Sequence, residues 1–203
     1  MPRVSAEHKE QRRQAILDAA MAVFIGKGYQ LATIDDISNR CGLSVGAIYR
    51  YFHNKGEIML TLVEERLGRT PELFARLTET AGDPWEQLVH CVGLFTSALR
   101  VRHPVTGRLL LATLGEAVQD GEVRRGLQGR FGALVSYISS IIRDGVAQGL
   151  FRADADPAAL ATLLLCTADG VAVYWVIDTP EVDLRTLRTA TLAMLRAYLM
   201  PKE

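Results

Sequence analysis

The chain has 203 residues, 49% of them hydrophobic and 23% charged, which is enough apolar content to bury a sizeable core and excludes a disordered chain. Lys+Arg and Asp+Glu both number 23, so the net charge is zero and a uniformly basic coat for nucleic acid is excluded. Residues 1–60 nevertheless carry eight Lys/Arg against six Asp/Glu, a local net charge of +2 that permits a DNA-binding N-terminal part.

The first residues, MPRVSAEHKEQRRQ, are polar and lack an apolar core, so no secretory signal is expected and a cytoplasmic location fits. Ser5 can cap a first helix whose apolar positions Ile16, Ala19, Ala20, Val23 and Phe24 recur at helical spacing. Gly26-Lys27-Gly28 ends it, with Gly28 suited to a left-handed C-terminal position. Thr33 with Asp36 three residues on makes a short-armed capping box, opening a helix through about Arg40. Gly42 breaks that helix, and Ser44 caps the next one through about Tyr51. Asn54 caps a fourth helix, Glu57 completes its box, and Pro71 interrupts or kinks it. Further helices are expected to start near Asp83-Pro84, Pro104, Gly121, Asp156-Pro157 and Thr179-Pro180; proline costs little in a first turn because its missing N–H would be unpaired there anyway.

No segment keeps a period-two alternation between turn signals. The β-friendly run 171–177 lies inside the apolar stretch 158–177, which Thr162, Thr167, Asp169 and Gly170 interrupt, so a buried helix is expected rather than a membrane span. The fold class is therefore all-α, with about nine helices and a seam near residues 51–54 that divides 1–53 from 54–203. Cys41, Cys91 and Cys166 lie far apart with no CxxC pair, so neither a metal site nor a disulfide framework is expected.

Residues 33–51 have the shape of a helix-turn-helix, with Ala32, Ile37, Cys41, Leu43 and Ile48 where two short helices must pack. The second helix then presents Val45, Gly46, Ala47 and Arg50, whose small size at its N-terminal end lets the backbone approach base edges. Thr33, Ser44, Tyr49, Tyr51 and Lys55 offer hydroxyls and a charge for phosphate oxygens, contacts that set register rather than sequence choice. Phe52 reads as core, Tyr49 as both packed and wet, and Arg12 and Arg13 as a solvated face.

The same stretch contains GLSVG, residues 42–46, which fits the G-x-S-x-G nucleophile elbow of serine hydrolases. An elbow needs a strand before its serine, yet helix-like TIDDISNR precedes Gly42. None of His8, His53, His90 and His103 stands in a triad context. Ser44 as a nucleophile is thus the remote alternative, and the chain is expected not to be an enzyme.

The run LATIDDISNRCGLSVGAIYRYFHNKGEIM resembles the helix-turn-helix of the tetracycline-repressor-like (TetR) family of bacterial regulators, over residues 11–62 or thereabouts. The likeness rests on Ala19-Ala20, Phe24, Gly28-Tyr29, Thr33, Ile37, Gly42, Ser44, Gly46, Tyr49, Tyr51-Phe52, Lys55 and Ile58. It implies that Thr33, Ser44, Tyr49 and Lys55 hold the DNA backbone, with Val45, Gly46, Ala47 and Arg50 nearest the bases. Two positions depart from the pattern: Cys41 replaces an alanine-like residue, and Tyr51 stands where histidine is frequent.

From about residue 54 onward the resemblance implies a helical ligand-binding and dimerisation domain whose last two helices pair with their copies. The stripes Leu160, Leu164, Thr167, Val171, Tyr174 and Leu184, Leu187, Thr191, Met194, Leu195 are wider than one core face requires. A two-fold dimer also suits DNA, since two recognition helices then meet successive major-groove faces about 34 Å apart. For an effector, the stripe Leu88, Cys91, Val92, Phe95, Leu99 faces inward, and His90, Glu116, Tyr137, Asp169 and Trp175 are polar groups near apolar walls. Each of these polar groups also has a purely structural reading. Glycines 93, 115, 126, 129, 132, 145, 149 and 170 are expected to leave room for such a pocket to open, those inside helices at a cost of about 1 kcal/mol each. The expectation is a homodimeric repressor, released from a palindromic double-stranded DNA operator by a small apolar or aromatic effector, with no cofactor or metal. An activator, or a ligand-binding helical protein of the same fold, is the alternative.

Overall fold

A computed structural model of the chain describes residues 6–67, 75–76, 82–101, 103–176 and 183–201. All regular structure among them is helical: α1 (Ala6–Lys27), α2 (Ile34–Cys41), α3 (Val45–Ile48), α4 (Lys55–Leu67), α5 (Pro84–Val101), α6 (His103–Gln119), α7 (Gly121–Ala147), α8 (Pro157–Val176) and α9 (Leu184–Leu199). The expected cap at Ser5, the expected interruption at Pro71 and the expected helix start near Thr179-Pro180 lie outside the described residues.

The helix ends follow side-chain chemistry. Gly28, Gly42 and Gly149 take positive φ (81°, 71° and 71°), the left-handed backbone that lets a chain leave a helix without a Cβ penalty. Asp83, Asp120, Asp156 and Asp183 each accept first-turn N–H groups at the starts of α5, α7, α8 and α9, for example Glu86 N to Asp83 Oδ1 at 2.8 Å. The last helix begins after Asp183, whose carboxylate accepts orphan N–H groups of its first turn.

Two other expectations need adjusting. α3 is only one turn long, Val45–Ile48, and the chain continues in turns through Tyr51. At α4, Asn54 Oδ1 accepts from Glu57 N at 2.8 Å, but the Glu57 carboxylate reaches back to His53 N at 2.5 Å. The return bond of the box is therefore made one residue earlier than expected.

Packing divides the chain into two compact units, residues 1–66 with 108–127, and residues 67–107 with 128–203. In the first, Ile16, Leu17, Phe24, Ile37, Ile48, Phe52, Ile58, Leu62, Leu109 and Val123 are buried. A methyl at Gly126 would overlap the Leu60 side chain, so glycine sets how closely α4 and α7 approach. In the second, Leu88, Cys91, Phe95, Leu134, Ile138, Ile142, Phe151, Leu164 and Leu199 form one apolar cluster. There Gly145 makes room for the buried Phe151 ring.

Candidate nucleic-acid interface and effector clefts

α2 is pinned at its N-terminus. Asp36 N donates to Thr33 Oγ1 at 3.1 Å, while Asp36 Oδ2 accepts from Thr33 N at 2.9 Å and Thr33 Oγ1 at 2.8 Å. Lys27 Nζ adds a 2.7 Å ion pair to the same carboxylate. Lys27 first, then Thr33, hold the Asp36 carboxyl down to about 2. Thr33 is exposed, as a backbone-contacting residue must be, although its hydroxyl hydrogen is directed at Asp36 in the free chain.

Ser38 Oγ donates to Leu43 O at 2.6 Å and closes the turn between the two helices. Ser44 is the N-cap of α3, its Oγ accepting from Ala47 N at 3.3 Å with ordinary extended backbone (φ −64°, ψ 152°). Ile48 and Phe52 bury beneath, which turns Gly46, Tyr49 and Arg50 outward and leaves Val45, Ala47 and Tyr51 half-buried. Arg50 makes no side-chain hydrogen bond or ion pair among the described residues, and nothing stands within 4 Å of where a Gly46 Cβ would be. The result is one slim face carrying an uncommitted guanidinium, two tyrosines and the Ser44 hydroxyl. Such a face can read base edges with Arg50 and the small residues, and hold phosphates with the hydroxyls.

Arg13 is not on a solvated face. It donates to Glu65 at 2.6 Å and Glu10 at 3.2 Å, with its guanidinium 5.7 Å from the Phe52 ring. Burial works against its charge, but the Glu65 hydrogen bond and the fields of Glu65 and Glu10 prevail and raise its pKa. Lys55, expected at phosphate, is half-buried, and its Nζ donates to Tyr29 O at 2.7 Å and Ala32 O at 2.9 Å.

The side chains of five of the six effector candidates fall among the described residues. His90 is exposed, with Nδ1 2.9 Å from Glu86 O. Glu116 lies in the first unit, 8% exposed, accepting from Gln30 Nε2 at 2.6 Å. Phe95, Tyr137 and Asp169 lie in the second unit, Phe95 buried and Tyr137 packed against its core. The Trp175 side chain lies outside the described residues. Phe95 lines a narrow cleft with Val92, Thr96, Leu164, Thr167, Ala168, Val171, Leu187 and Thr191, whose volume of about 20 Å³ is room for roughly one water.

A larger open groove, about 460 Å³, runs along α8 and α9 between Ala159, Leu163, Leu164, Thr167, Leu187, Ala190, Thr191, Met194 and Tyr198. Of the expected dimer residues, Met194 and Tyr174 are 73% and 55% exposed. Leu164 and Val171 are buried in the chain's own core, while Leu187 and Thr191 are intermediate. Leu163, 62% exposed, and Tyr198 complete the outward apolar face. They stand one and four residues from expected positions, and the width of the stripe was the signal that could have found them. Among the described residues, no helix is long and apolar enough to cross a membrane, and no group of His, Cys, Asp or Glu could hold a metal ion.

Two family models match the chain. The family model "Bacterial regulatory proteins, tetR family" matches residues 16–62. The model "BetI-type transcriptional repressor, C-terminal" matches residues 84–200, more than half of the chain. The uncharacterized HTH-type transcriptional regulator YfiR of Bacillus subtilis is 28% identical, with 100% of this chain and 98% of that protein covered. The crystal structure of the transcriptional regulator FadR from Bacillus subtilis in complex with stearoyl-CoA has a TM-score of 0.72 at 22% identity, covering 90% of this chain and 96% of that one. A putative transcriptional regulator from Saccharomonospora viridis in complex with choline has a TM-score of 0.74 at 23% identity, covering 95% and 100%.

Proposed function

The chain belongs to the TetR family of bacterial transcriptional regulators, and from that premise we propose that it is a homodimeric cytoplasmic repressor that leaves a palindromic operator when a small molecule binds. The carrying observation is the outward face of α3 and the turn after it. Val45, Gly46, Ala47 and Arg50 present a slim edge to the bases, and Thr33, Ser44, Tyr49 and Tyr51 flank it for the phosphates. Residues 1–53 would read the DNA, and residues 54–203 would bind the effector and dimerise.

The dimer is supported by the α8–α9 groove with its exposed Leu163, Met194 and Tyr198, and by exposed Tyr174 further along α8, together more apolar surface than a lone chain has reason to leave in water. For the effector, the two structural relatives hold molecules as unlike as stearoyl-CoA and choline, so the fold does not choose the ligand. The walls of the Phe95 cleft, Val92, Leu164 and Val171, are apolar, which supports an apolar or aromatic effector, and such a molecule would have to open the cleft beyond its volume of about 20 Å³. Release follows if the effector prefers a conformation in which the two α3 helices no longer match successive grooves.

Selection of bound duplexes from a random library, followed by gel shifts, tests the reading. The expected product is an inverted repeat whose half-sites lie about one helical turn apart. Binding without sequence preference would refute it.

A further inference from the structure

The residues proposed to meet DNA, 33–51, are entered through the turn that carries Gln30 and left through Asn54, the residue before α4. Carboxylates of one distant corner, the junction of α6 and α7, hold both flanking side chains. Gln30 Nε2 donates to Glu116 Oε2 at 2.6 Å, and Asn54 Nδ2 donates to Glu122 Oε1 at 2.8 Å. Asn54 uses the other end of its amide to cap α4, with Oδ1 accepting from Glu57 N at 2.8 Å. The two bonds together fix which way that amide faces.

The corner is closed by its own side chains. Asp120 N donates to Glu116 O at 2.8 Å, and Asp120 Oδ1 accepts from Glu122 N and Val123 N at 2.7 and 3.2 Å. Arg124 folds back from α7 and donates to Ala117 O at 2.8 Å and Val118 O at 2.9 Å, in the last turn of α6.

Both flanks also pack at the corner directly. Around the point where a Cβ on buried Gly56 would sit, Asn54 Oδ1, Val123 Cγ2 and the Tyr29 hydroxyl stand 3.2, 3.5 and 3.6 Å away. The first turns of α4 and α7 and the turn after α1 thus share one spot. Burial first, and then the fields of Glu116, Asp120 and Glu122, push the Tyr29 phenol up to about 12, in keeping with three corner carboxylates around that turn. All of these residues belong to one compact unit, 1–66 with 108–127.

We infer that Glu116 and Glu122 are positioning residues: the α6–α7 corner brackets both flanks of the DNA-reading segment and sets its orientation. The inference rests on the DNA-reading proposal and deepens it, since the reading part then takes in residues 108–127 besides 1–53.

Charge and positioning predict opposite signs. Removing a carboxylate makes the chain less negative, which by charge alone tightens its hold on a polyanion. Removing a bracket loosens the reading segment and weakens specific binding. In the full chain, Glu116→Ala and Glu122→Ala should each lose about fivefold in affinity for the selected operator, the factor for one ordinary hydrogen bond. Affinity for an unrelated duplex should be unchanged or slightly raised. Glu122→Gln keeps an acceptor for Asn54 and should bind the operator as tightly as the parent chain. Operator binding by the alanine variants that is unchanged or tighter would overturn the inference. Equal losses on both duplexes, or a glutamine variant as weak as the alanine one, would also overturn it.

Glu116 is 8% exposed whereas Glu122 lies at the surface, so if Glu116→Ala does not fold, the two Glu122 variants decide. The free protein gives a second readout. Amide hydrogen exchange over residues 29–33 and 53–57 should quicken by about fivefold in Glu122→Ala, Glu116→Ala or both, and unchanged exchange there would overturn the bracket. If no operator emerges from selection, the functional reading falls, and this exchange still supports or overturns the bracket by itself.

Discussion

Replacing Gly46 by alanine should separate folding from DNA reading. The position is exposed in the first turn of α3, its φ is not positive, and no atom lies within 4 Å of the new methyl. Alanine is favoured over glycine in helix interiors by up to about 1 kcal/mol. In a helix this short, half of that, about 0.5 kcal/mol, is the reasonable share. For a chain of this size such a gain raises Tm by on the order of 1–2 °C. In the proposed DNA complex the same methyl would stand where the backbone approaches base edges. Losing one base contact costs about 1–3 kcal/mol, so operator affinity should fall by roughly 5- to 150-fold per half-site. Thermal melting of the free protein and fluorescence anisotropy with the selected operator give the two numbers. Unchanged affinity with a raised Tm would show that position 46 does not meet the bases. A lowered Tm would show that the surface above α3 is not as open as described.

Four further outcomes follow from the same geometry. Within α7, Gly132→Ala has open space and should stabilise by about 1 kcal/mol, whereas Gly145→Ala drives a methyl into the buried Phe151 ring and should destabilise by about 1–2 kcal/mol, so melting temperatures move in opposite directions. Met194→Glu places a charge on the 73% exposed floor of the α8–α9 groove; light scattering should show a dimer becoming a monomer with little change in helix content, and a persistent dimer would place the interface elsewhere. Burial pushes the Cys91 thiol up to about 12, so a thiol reagent at pH 8 should label exposed Cys166 quickly and Cys91 only on unfolding. The Asp36 carboxyl titrates near 2, below its unfolded value near 4, so its contribution is present above that higher value and is lost as pH falls through the lower one; Asp36→Asn should flatten acid unfolding in that window, followed by circular dichroism.

The elements that were legible in the sequence are those whose causes lie within four residues. Thr33 and Asp36 are three apart, and both halves of their box form. Asp83 and Asp156 stand beside prolines and cap the helices they announce. Gly28 and Gly42 take the left-handed backbone that ending α1 and α2 requires. What escaped depends on partners far along the chain. Glu116 could be read as a structurally satisfied group or as part of a pocket, and its partner Gln30 is 86 residues away with nothing local to mark either of them. Arg13 looked solvated, yet Glu65 and the Phe52 ring fold back over it. Lys55 was read from its place in a motif, while the direction of its ammonium is set by a turn 23–26 residues earlier.

The GLSVG pentapeptide shows how far a short pattern reaches. A nucleophile elbow holds its serine in strained backbone between a strand and a helix, so that Oγ stands clear of its own chain. Ser44 has neither the strain nor the strand: its φ and ψ are ordinary extended values, α2 precedes it, and its Oγ accepts from Ala47 N. The two glycines also act differently from those of an elbow. Gly42, at φ 71°, is the left-handed exit from α2, and Gly46 leaves the outer face of α3 without a side chain. Five letters therefore fix a turn and a cap, both of which satisfy orphan backbone groups on the spot. Whether that cap faces an ester or a phosphate is decided by what packs behind it. Here that is Ile37, Ile48 and Phe52, three buried apolar anchors that turn the short helix outward as a whole.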